Sequence, residues 1–345
     1  MGIYDKNLLN ALDFLTLSQN LDGGWGYRRD GMSYTEPTVF ALLALLNPTV
    51  GIKANSSDPR FIALQKGLVW LRQGQHSDGG WGVFFEDGVS NWMTYPATWL
   101  FNVILKIPSL FAAYSKPEDS GIRDRAESWI IERGREAAVE SETLAAQIRK
   151  LFSIDSGFRG WSWGMGEAGW VIPTSMALIA LVISNPKAMN ESEVVKNGKE
   201  YLRDRACPVG GWNVGNPWML GKALPPTPDA TSFALLAWRL LLDASDFGST
   251  SQLQKSITLL SDFITNSNSD QTIVLGTLAV RLFDENAASL NFMINGVTRQ
   301  FGPDNISRKT AKGQDLVSGG WANSAYTTAF AALALSDTRY FIQPA

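Results

Sequence analysis

The sequence contains very little cysteine, histidine or net charge. Cys207 is the only cysteine and His76 the only histidine among 345 residues, which excludes an intrachain disulfide and leaves too few ligands for a histidine and cysteine zinc site. The net charge is −3, with no block of like charges, so no surface for nucleic acid is indicated. These scarcities suit a protein of a reducing compartment, and the sequence predicts neither a metal nor a cofactor.

Long apolar segments and a targeting segment are also missing. No apolar run approaches the roughly 18 residues needed to span a bilayer, the longest being residues 39–46 and 176–183. Residues 1–6 lack the basic and apolar regions of a signal peptide, and Lys6 stands where a myristoylation motif needs Ser or Thr. The sequence therefore predicts a cytoplasmic protein, and contact with a membrane surface is left open.

What the sequence does contain is a glycine–tryptophan turn that recurs along the chain. The two clearest copies, at residues 19–26 and 75–82, both read Gln-x-x-Asp-Gly-Gly-Trp-Gly, and further copies surround Trp161, Trp212 and Trp321. Apolar residues at helical spacing precede the turns, and segments that are apolar almost all round follow them. This recurrence is typical of a repeat protein. We expect the tryptophans to join neighbouring repeats rather than to bind a ligand.

Each repeat is predicted to be a helix pair, with an outer amphipathic helix before the turn and a buried inner helix after it. The pair at 252–266 and 270–284 lacks the turn, and residues 136–156 form an insertion behind an outer helix at 123–135. Six pairs are counted in total. The sequence therefore predicts an all-α fold, a single (α/α)6 toroid that forms one domain over residues 1–345.

The motif Gln-x-x-Asp-Gly-Gly-Trp resembles the QW repeat of the squalene cyclase and protein prenyltransferase superfamily. The zinc-dependent prenyltransferases of this superfamily use an Asp-x-Cys pair on one inner helix and a histidine on a later one. Here the matching residues are Asp229-Ala-Thr231 and Tyr326-Thr-Thr328. Since neither the cysteine nor the histidine is present, the resemblance favours the terpene cyclase branch.

The predicted inner helices align on their prolines. If Pro37, Pro96 and Pro173 each occupy the first helical position, where proline is favoured, the preceding residue is the N-cap. All six inner helices are expected to start at one end of the toroid, so these N-cap side chains would converge on the mouth of a central cavity. The column consists of Glu36, Tyr95, Ile172, Asp229, Asp270 and Tyr326.

Asp229 is the predicted catalytic acid. The sequence Thr-Pro-Asp-Ala-Thr at 227–231 is similar to the acidic motif of class II terpene cyclases of the oxidosqualene type, which keep the central Asp and the Thr, here Thr231. The resemblance implies that a protonated Asp229 attacks an alkene or epoxide. A helix N-terminus would stabilise the resulting carboxylate. Asp is also among the best N-cap residues, worth about 1 kcal/mol over Ala, and this structural role alone would explain Asp229.

Other residues near the predicted mouth complete the candidate site. Aromatic side chains can stabilise a carbocation through their π faces, and carboxylates at the rim can contact the substrate. For a substrate that carries a diphosphate, basic residues in the loops could bind the phosphates. The substrate-binding candidates are Trp92, Tyr95, Trp170, Trp218, Tyr326, Glu36 and Asp270, and the diphosphate candidates are Arg28, Arg29 and Lys222.

Three functions are compatible with the sequence. The first is a class II terpene cyclase, an isomerase- or lyase-type enzyme that takes a linear isoprenoid into an apolar central cavity. Full-length squalene cyclases resemble two toroids, so a single toroid implies a partner chain, a second toroid or a shorter substrate. The second is a non-catalytic isoprenoid-binding or scaffold toroid that acts with a partner protein, which the altered acidic motif favours. The third is a carbohydrate-active enzyme that pairs Glu36 with Asp229 or Asp270.

Overall fold

The computed structural model describes residues 3–47, 57–134, 141–241, 250–284, 295–296, 308–309, 315–316, 320–336 and 339–342. Its helices are α1 (Ile3–Leu17), α2 (Thr35–Leu45), α3 (Pro59–Gln73), α4 (Thr94–Lys106), α5 (Pro108–Tyr114), α6 (Asp119–Arg133), α7 (Glu142–Phe152), α8 (Val171–Ser184), α9 (Pro186–Glu191), α10 (Glu193–Asp204), α11 (Pro228–Leu241), α12 (Thr250–Asn266), α13 (Asp270–Arg281), α14 (Ala325–Leu335) and α15 (Arg339–Ile342). The remaining elements are the antiparallel pairs β1 (Trp218–Met219) with β2 (Lys222–Ala223) and β3 (Arg308–Lys309) with β4 (Asp315–Leu316), and a 3-10 turn at Trp321–Asn323.

Six inner helices form a closed ring. In order around the ring they are α2, α4, α8, α11, α13 and α14, and α14 packs against α2 to complete the circle. Helices α1, α3, α6, α10 and α12 lie outside this ring, each against one or two inner helices. The predicted all-α toroid is therefore confirmed. The outer helix of the sixth pair would fall at 285–319, most of which lies outside the described residues.

The predicted insertion contributes a helix of its own. Residues 142–152 form α7, which contacts β1, whereas residues 136–140 lie outside the described part of the chain. The assignment of residues 1–345 to one domain stays a prediction. Among the described helices none alone is long and apolar enough to cross a membrane, although α4 and α5 together would suffice by length and composition across their 102° bend.

Burial explains why the inner helices are apolar on every face. All of α2 is buried, since one side meets the inside of the ring and the other meets the outer helices. The outer helix α10 instead buries one face only. Complete burial of a leucine or phenylalanine contributes about 1.5–3 kcal/mol, so the inner ring supplies much of the stability of the fold.

The inner helices start at the same end of the ring. The residues that precede or begin them bond to the segment that follows the next tryptophan: Thr35 N–H donates to Val83 O at 2.9 Å, and Val171 N–H donates to Val214 O at 3.0 Å. At the last helix, the Thr327 hydroxyl bonds Gln271 Oε1 at 2.9 Å. The loops between outer and inner helices therefore surround one opening, which we call the mouth.

The glycine–tryptophan turns attach each outer helix to its inner helix. The Trp25 indole is fully buried and donates to Leu15 O at 2.7 Å, at the end of α1, while Trp25 N–H donates to Thr38 Oγ1 at 2.9 Å in α2. Trp81, Trp161 and Trp212 make the equivalent pair of bonds. The tryptophans are thus structural, as predicted from the sequence.

The glutamine of the motif joins neighbouring repeats. Gln19 Nε2 donates to Gly23 O within its own turn and to Ala63 O in α3, both at 2.8 Å. Gln75 makes the same two bonds to Gly79 O at 2.9 Å and to Ile122 O in α6 at 2.8 Å. One side chain therefore fixes a turn and holds the next outer helix beside it.

This close approach makes Gly23 a sensitive position. Gly23 has a φ of +99°, and a Cβ there would lie 2.7 Å from Lys66 O in α3. We expect Gly23→Ala to lower the free energy of unfolding by about 1–3 kcal/mol, because both the backbone strain and the clash must be accommodated. Urea unfolding measures the change. Gly88→Ala is the matched control, since a Cβ there meets nothing within 4 Å; equal losses in the two variants would contradict this explanation.

Candidate functional site

The predicted N-cap column is a set of equivalent positions, but its members are not N-caps. The N-caps of α2, α4, α8 and α14 are Tyr34, Met93, Trp170 and Ser324. Helices α2, α4 and α8 begin two residues before their prolines, because the first N–H groups of a helix have no partner and proline is tolerated throughout the first turn. The assignment was therefore wrong in its register. Each second helical residue is a member of the column, namely Glu36, Tyr95, Ile172, Asp229 and Tyr326.

The α13 member of this column was also misplaced. Asp270 is the first residue of α13 and Ser269 is its N-cap, so the equivalent second residue is Gln271. Asp270 is half-buried and accepts a backbone hydrogen bond from Ala322, and burial raises the pKa of its carboxyl above the ordinary value. The repeat at 252–284 lacks a proline and a Gly-Trp turn, so it contains no landmark from which the start of its inner helix can be predicted.

Glu36 is the buried carboxyl of the mouth. Glu36 is only 6% exposed, and its Oε2 accepts a hydrogen bond from the Tyr27 hydroxyl. The Tyr326 hydroxyl bonds the same carboxyl. Burial raises the pKa of Glu36 to about 7, while the bonds from the two tyrosines act in the opposite direction. We call Glu36, Tyr27 and Tyr326 the mouth cluster.

The two tyrosines of the mouth cluster are fixed as hydrogen-bond donors. Burial, followed by the charge of Glu36, raises the pKa of both Tyr27 and Tyr326 above the ordinary phenol value. Both therefore keep their protons across the physiological range. Their rings lie 5.8 Å apart in an edge-to-face arrangement. Two neutral phenols thus point their hydroxyl groups at one carboxyl group.

Aromatic side chains continue from the mouth cluster into the ring. The Tyr326 ring lies 5.0 Å from Phe330 and 5.6 Å from Phe40, which are 4.6 Å from each other. Phe40 contacts Trp99 at 5.9 Å, and Trp99 stacks on Phe341 of α15 at 5.8 Å. The central cavity predicted from the sequence is therefore occupied by aromatic side chains along this path.

Asp229 lies beside the mouth cluster but in a different environment. It is the second residue of α11 and is exposed to solvent. Its charge is close enough to contribute to the raised pKa of Tyr326. Asp229 is therefore near Tyr326 and exposed, whereas Glu36 is enclosed.

Thr231, the second residue of the acidic motif, belongs to the repeat turn. Its buried hydroxyl accepts a bond from Trp212 N–H at 3.0 Å and donates to Trp212 O at 3.1 Å. Thr38, Thr94 and Thr174 bind the tryptophan N–H of their own repeats in the same way. The threonine of the motif is explained by this turn without a role in catalysis.

Trp92 and Tyr95 lie together in a cleft between the second and third repeats. Trp92 contacts Trp163 edge to face at 4.7 Å, and the Tyr95 hydroxyl donates to Ser162 O at 3.1 Å. Arg133 stands 5.3 Å from the centre of the Trp129 ring at the same cleft. The open volume is about 10 Å³, so the cleft as it stands has little room for a ligand.

The remaining candidates occupy separate loops. Trp170 is the N-cap of α8, and Trp218 is paired with Ala223 in the β1–β2 hairpin that also carries the exposed Lys222. Arg28 is exposed and Arg29 half-buried in the loop before α2. The structure thus brings Glu36, Tyr326 and Asp229 together and places Trp92 and Tyr95 in one cleft, while the loop candidates lie apart from one another.

Tyr27 is the functional candidate that the sequence interpretation missed. Its signal was present: Tyr27 stands two residues after Trp25, where the equivalent residues of three other repeats are Val83, Trp163 and Val214. An aromatic residue at that position lies over the start of the inner helix.

Within the described ranges, no three His, Cys, Asp or Glu side chains come together as a metal site.

Comparison by sequence gives matches over about a quarter of the chain. Residues 4–94 match the model of the squalene-hopene cyclase C-terminal domain. The squalene–hopene cyclase of Zymomonas mobilis is 37% identical over 82 residues, which are 24% of this chain and 11% of that enzyme. The chain thus matches about a ninth of the length of this curated relative. The family-model match includes Tyr27 and Glu36 and leaves out Asp229.

Comparison by structure covers nearly the whole chain. The type II terpene cyclase MstE from Scytonema has a TM-score of 0.59 at 14% identity, over 97% of this chain and 98% of that one. A variant of MstE in complex with geranylgeranyl dihydroxybenzoate, its substrate, has a TM-score of 0.56. The α-1,6-mannanase GH76A of Salegentibacter also matches, with a TM-score of 0.57 at 11% identity, over 96% and 97% of the two chains. At these identities the likeness shows the fold, and together with the sequence matches it supports the resemblance to the squalene and terpene cyclase superfamily.

Proposed function

We propose that this protein binds a linear isoprenoid at the mouth of the toroid and cyclises it by protonation, as a class II terpene cyclase. The observation that supports this most is the mouth cluster: a carboxyl group that is enclosed among aromatic rings, in a fold of the type II cyclase kind. The reaction needs an acid that is neutral before the transfer and stabilised after it. It also needs walls that stabilise a carbocation without reacting with it.

The aromatic path supplies such walls. The faces of aromatic rings attract cations, by about 0.5–1 kcal/mol at exposed sites and about 2 kcal/mol or more where water is excluded. Phe40 and Phe330 are fully buried directly beneath Tyr326, so the cation would form next to desolvated rings. Because aromatic side chains fill the path farther inside, the reacting end of the substrate is placed at the mouth.

The loops around the mouth offer apolar contacts for the rest of the substrate. Large apolar side chains are commonly exposed one at a time, but here seven of them lie in the segments that lead from the Gly-Trp turns into the inner helices. A linear isoprenoid has an apolar tail that would remain outside the narrow mouth, where these side chains can cover it. They include Met32, Phe85, Val89, Met165, Val214, Met219 and Leu220.

Product formation tests the proposed function. The purified protein is incubated with farnesyl, geranylgeranyl, squalene and oxidosqualene substrates, and the products are separated and identified by gas chromatography and mass spectrometry. We expect a cyclic isomer or hydrate of one substrate from the wild type. Because the acidic motif nominated Asp229, Asp229→Asn is assayed beside it. Absence of any product from the wild type with all four substrates would contradict the proposal.

A non-catalytic isoprenoid-binding protein is the second candidate. The filled aromatic path favours it, because Trp99 and Phe341 occupy space that an enclosed substrate would need. In this case quenching of tryptophan fluorescence would show saturable binding of an isoprenoid that is recovered unchanged. A partner protein over the mouth would then complete the enclosure.

The carbohydrate-active alternative has the fold of the mannanase in its favour, and release of mannose from α-1,6-mannan would support it instead.

A further inference from the structure

The structure assigns the proton donor of the proposed reaction to Glu36, and we infer that Glu36 regains its proton from solvent through Tyr326. This inference rests on the proposed function. It departs from the acidic motif, which nominated Asp229 as the donor. It also gives Tyr27 and Tyr326, which come from distant parts of the chain, a common role as partners of the donor.

Enclosure is the first argument for Glu36. The proton must reach an alkene or epoxide in a place from which water is excluded, because water would capture the carbocation. Glu36 is 6% exposed and lies against the aromatic path, whereas Asp229 is exposed to solvent. A cation formed beside Glu36 would face the rings of Phe40 and Phe330. A cation formed beside Asp229 would face water.

The protonation state of Glu36 is the second argument. Because burial raises its pKa to about 7, a large fraction of the carboxyl groups carry a proton at neutral pH, unlike an ordinary glutamic acid. When the proton leaves, the carboxylate accepts hydrogen bonds from Tyr27 and Tyr326. Hydrogen bonds to a charged acceptor are roughly twice as strong as those to a neutral one. The tyrosines therefore stabilise the donor more after the transfer than before it, which is the requirement for a catalytic interaction.

The step balances without a further reactant. The O–H bond of Glu36 breaks and a C–H bond forms at one carbon of the alkene, which leaves a cation on the other carbon. The next double bond of the chain attacks this cation and forms a C–C bond. The final cation loses a proton to water or adds water, so the product is an isomer or a hydrate of the substrate. A proton from solvent then returns to the Glu36 carboxylate by way of Tyr326, whose hydroxyl gives its proton to Glu36 as it accepts one from water, so that the phenol stays neutral.

Asp229 is a positioning residue in this scheme. Its charge acts on Tyr326, and its side chain is exposed to solvent. Residues 4–94, which match the squalene-hopene cyclase C-terminal domain, include Glu36 and Tyr27. The assigned donor therefore lies in the part of the chain that is similar in sequence to cyclases.

Infrared spectroscopy tests the donor without a substrate. Spectra of the wild type, Glu36→Gln and Asp229→Asn are compared between about pH 5 and about pH 9, a range that spans the raised pKa. We expect a protonated carboxyl band in the wild type that disappears as the pH rises through about 7, remains in Asp229→Asn and is missing from Glu36→Gln. The exposed Glu86 provides the matched control, and Glu86→Gln should retain the band. A band that is lost in Asp229→Asn and kept in Glu36→Gln would overturn the assignment.

Product assays with the same variants complete the test. Loss of a general acid costs about 10²–10⁴-fold in rate, so we expect a loss of this size in Glu36→Gln and almost none in Glu86→Gln. Circular dichroism checks that Glu36→Gln is folded. Tyr326→Phe leaves the carboxyl in place and removes the hydroxyl, and we expect it to lower product formation and to change the pH profile, which a purely structural tyrosine would not do.

The outcomes separate the two proposals. Product from the wild type that persists in Glu36→Gln and is lost in Asp229→Asn contradicts the donor assignment and leaves the proposed function standing. No product from the wild type contradicts the proposed function itself, and the donor role with it. An unchanged pH profile in Tyr326→Phe contradicts the reprotonation route alone.

Discussion

The Glu36→Gln protein is expected to be more stable than the wild type above about pH 7, and about as stable as the wild type near pH 4. The folded protein holds the pKa of Glu36 at about 7, above the ordinary value of 4.5. Below pH 4.5 the carboxyl is protonated in both the folded and the unfolded chain. As the pH rises from there, the unfolded chain releases the proton first, so the wild type loses stability until the pH passes about 7.

The size of this effect follows from the same values. The interval between 4.5 and about 7 corresponds to roughly 3 kcal/mol. Glutamine cannot ionise, so the variant should lack this loss. Urea unfolding of both proteins at a series of pH values measures the difference, and Glu86→Gln is the control because its parent side chain is exposed. Parallel stability curves for the wild type and Glu36→Gln would show that Glu36 is not held in a protonated state.

Phe341→Ala is expected to lower the free energy of unfolding by about 3–5 kcal/mol. Phe341 is fully buried, stacks on Trp99, and its carbonyl accepts a bond of 2.6 Å from the Trp99 indole. Truncation would leave a cavity at the end of the aromatic path, and neighbouring helices of the closed ring can collapse onto it only in part. Urea unfolding measures the loss.

The control for this variant is another phenylalanine on a short helix. Phe111 of α5 is 51% exposed, and Phe111→Ala should change stability by only about 0.5 kcal/mol. A second readout is the uptake of benzene, which enters apolar cavities of about 150 Å³ in proteins. Equal destabilisation by the two substitutions, together with no uptake, would contradict the packing described for the aromatic path.

The toroid was predictable because its signals are local. The Gly-Trp turns and the apolar inner segments recur within each repeat, so they indicate helix pairs without knowledge of distant contacts. The register at the helix starts was harder, because proline fits any position of the first turn. Thr231 shows a related difficulty, because a residue that matches a catalytic motif can be required by the structure of the repeat turn.

The environment of Glu36 was not predictable from its own neighbourhood. Its burial depends on Tyr326, which α14 brings beside α2 when the ring closes. The packing along the path from Phe40 to Phe341 was hidden for a similar reason, because an apolar helix has the same sequence whether it lines an open chamber or contacts other side chains. Only the closed arrangement decides between the two.

The seam of the ring, where α14 meets α1 and α2, has a consequence for folding. In a linear array of repeats, folding can begin anywhere and spread from neighbour to neighbour, and the ends need special terminal repeats. A circular array has no ends, so its last contact joins its first repeat to its last. Because Glu36 and Tyr326 lie on opposite sides of this seam, the carboxyl acquires its surroundings only when the seam has formed. Substitutions that weaken the seam should therefore expose Glu36 to water while most of the helices remain formed.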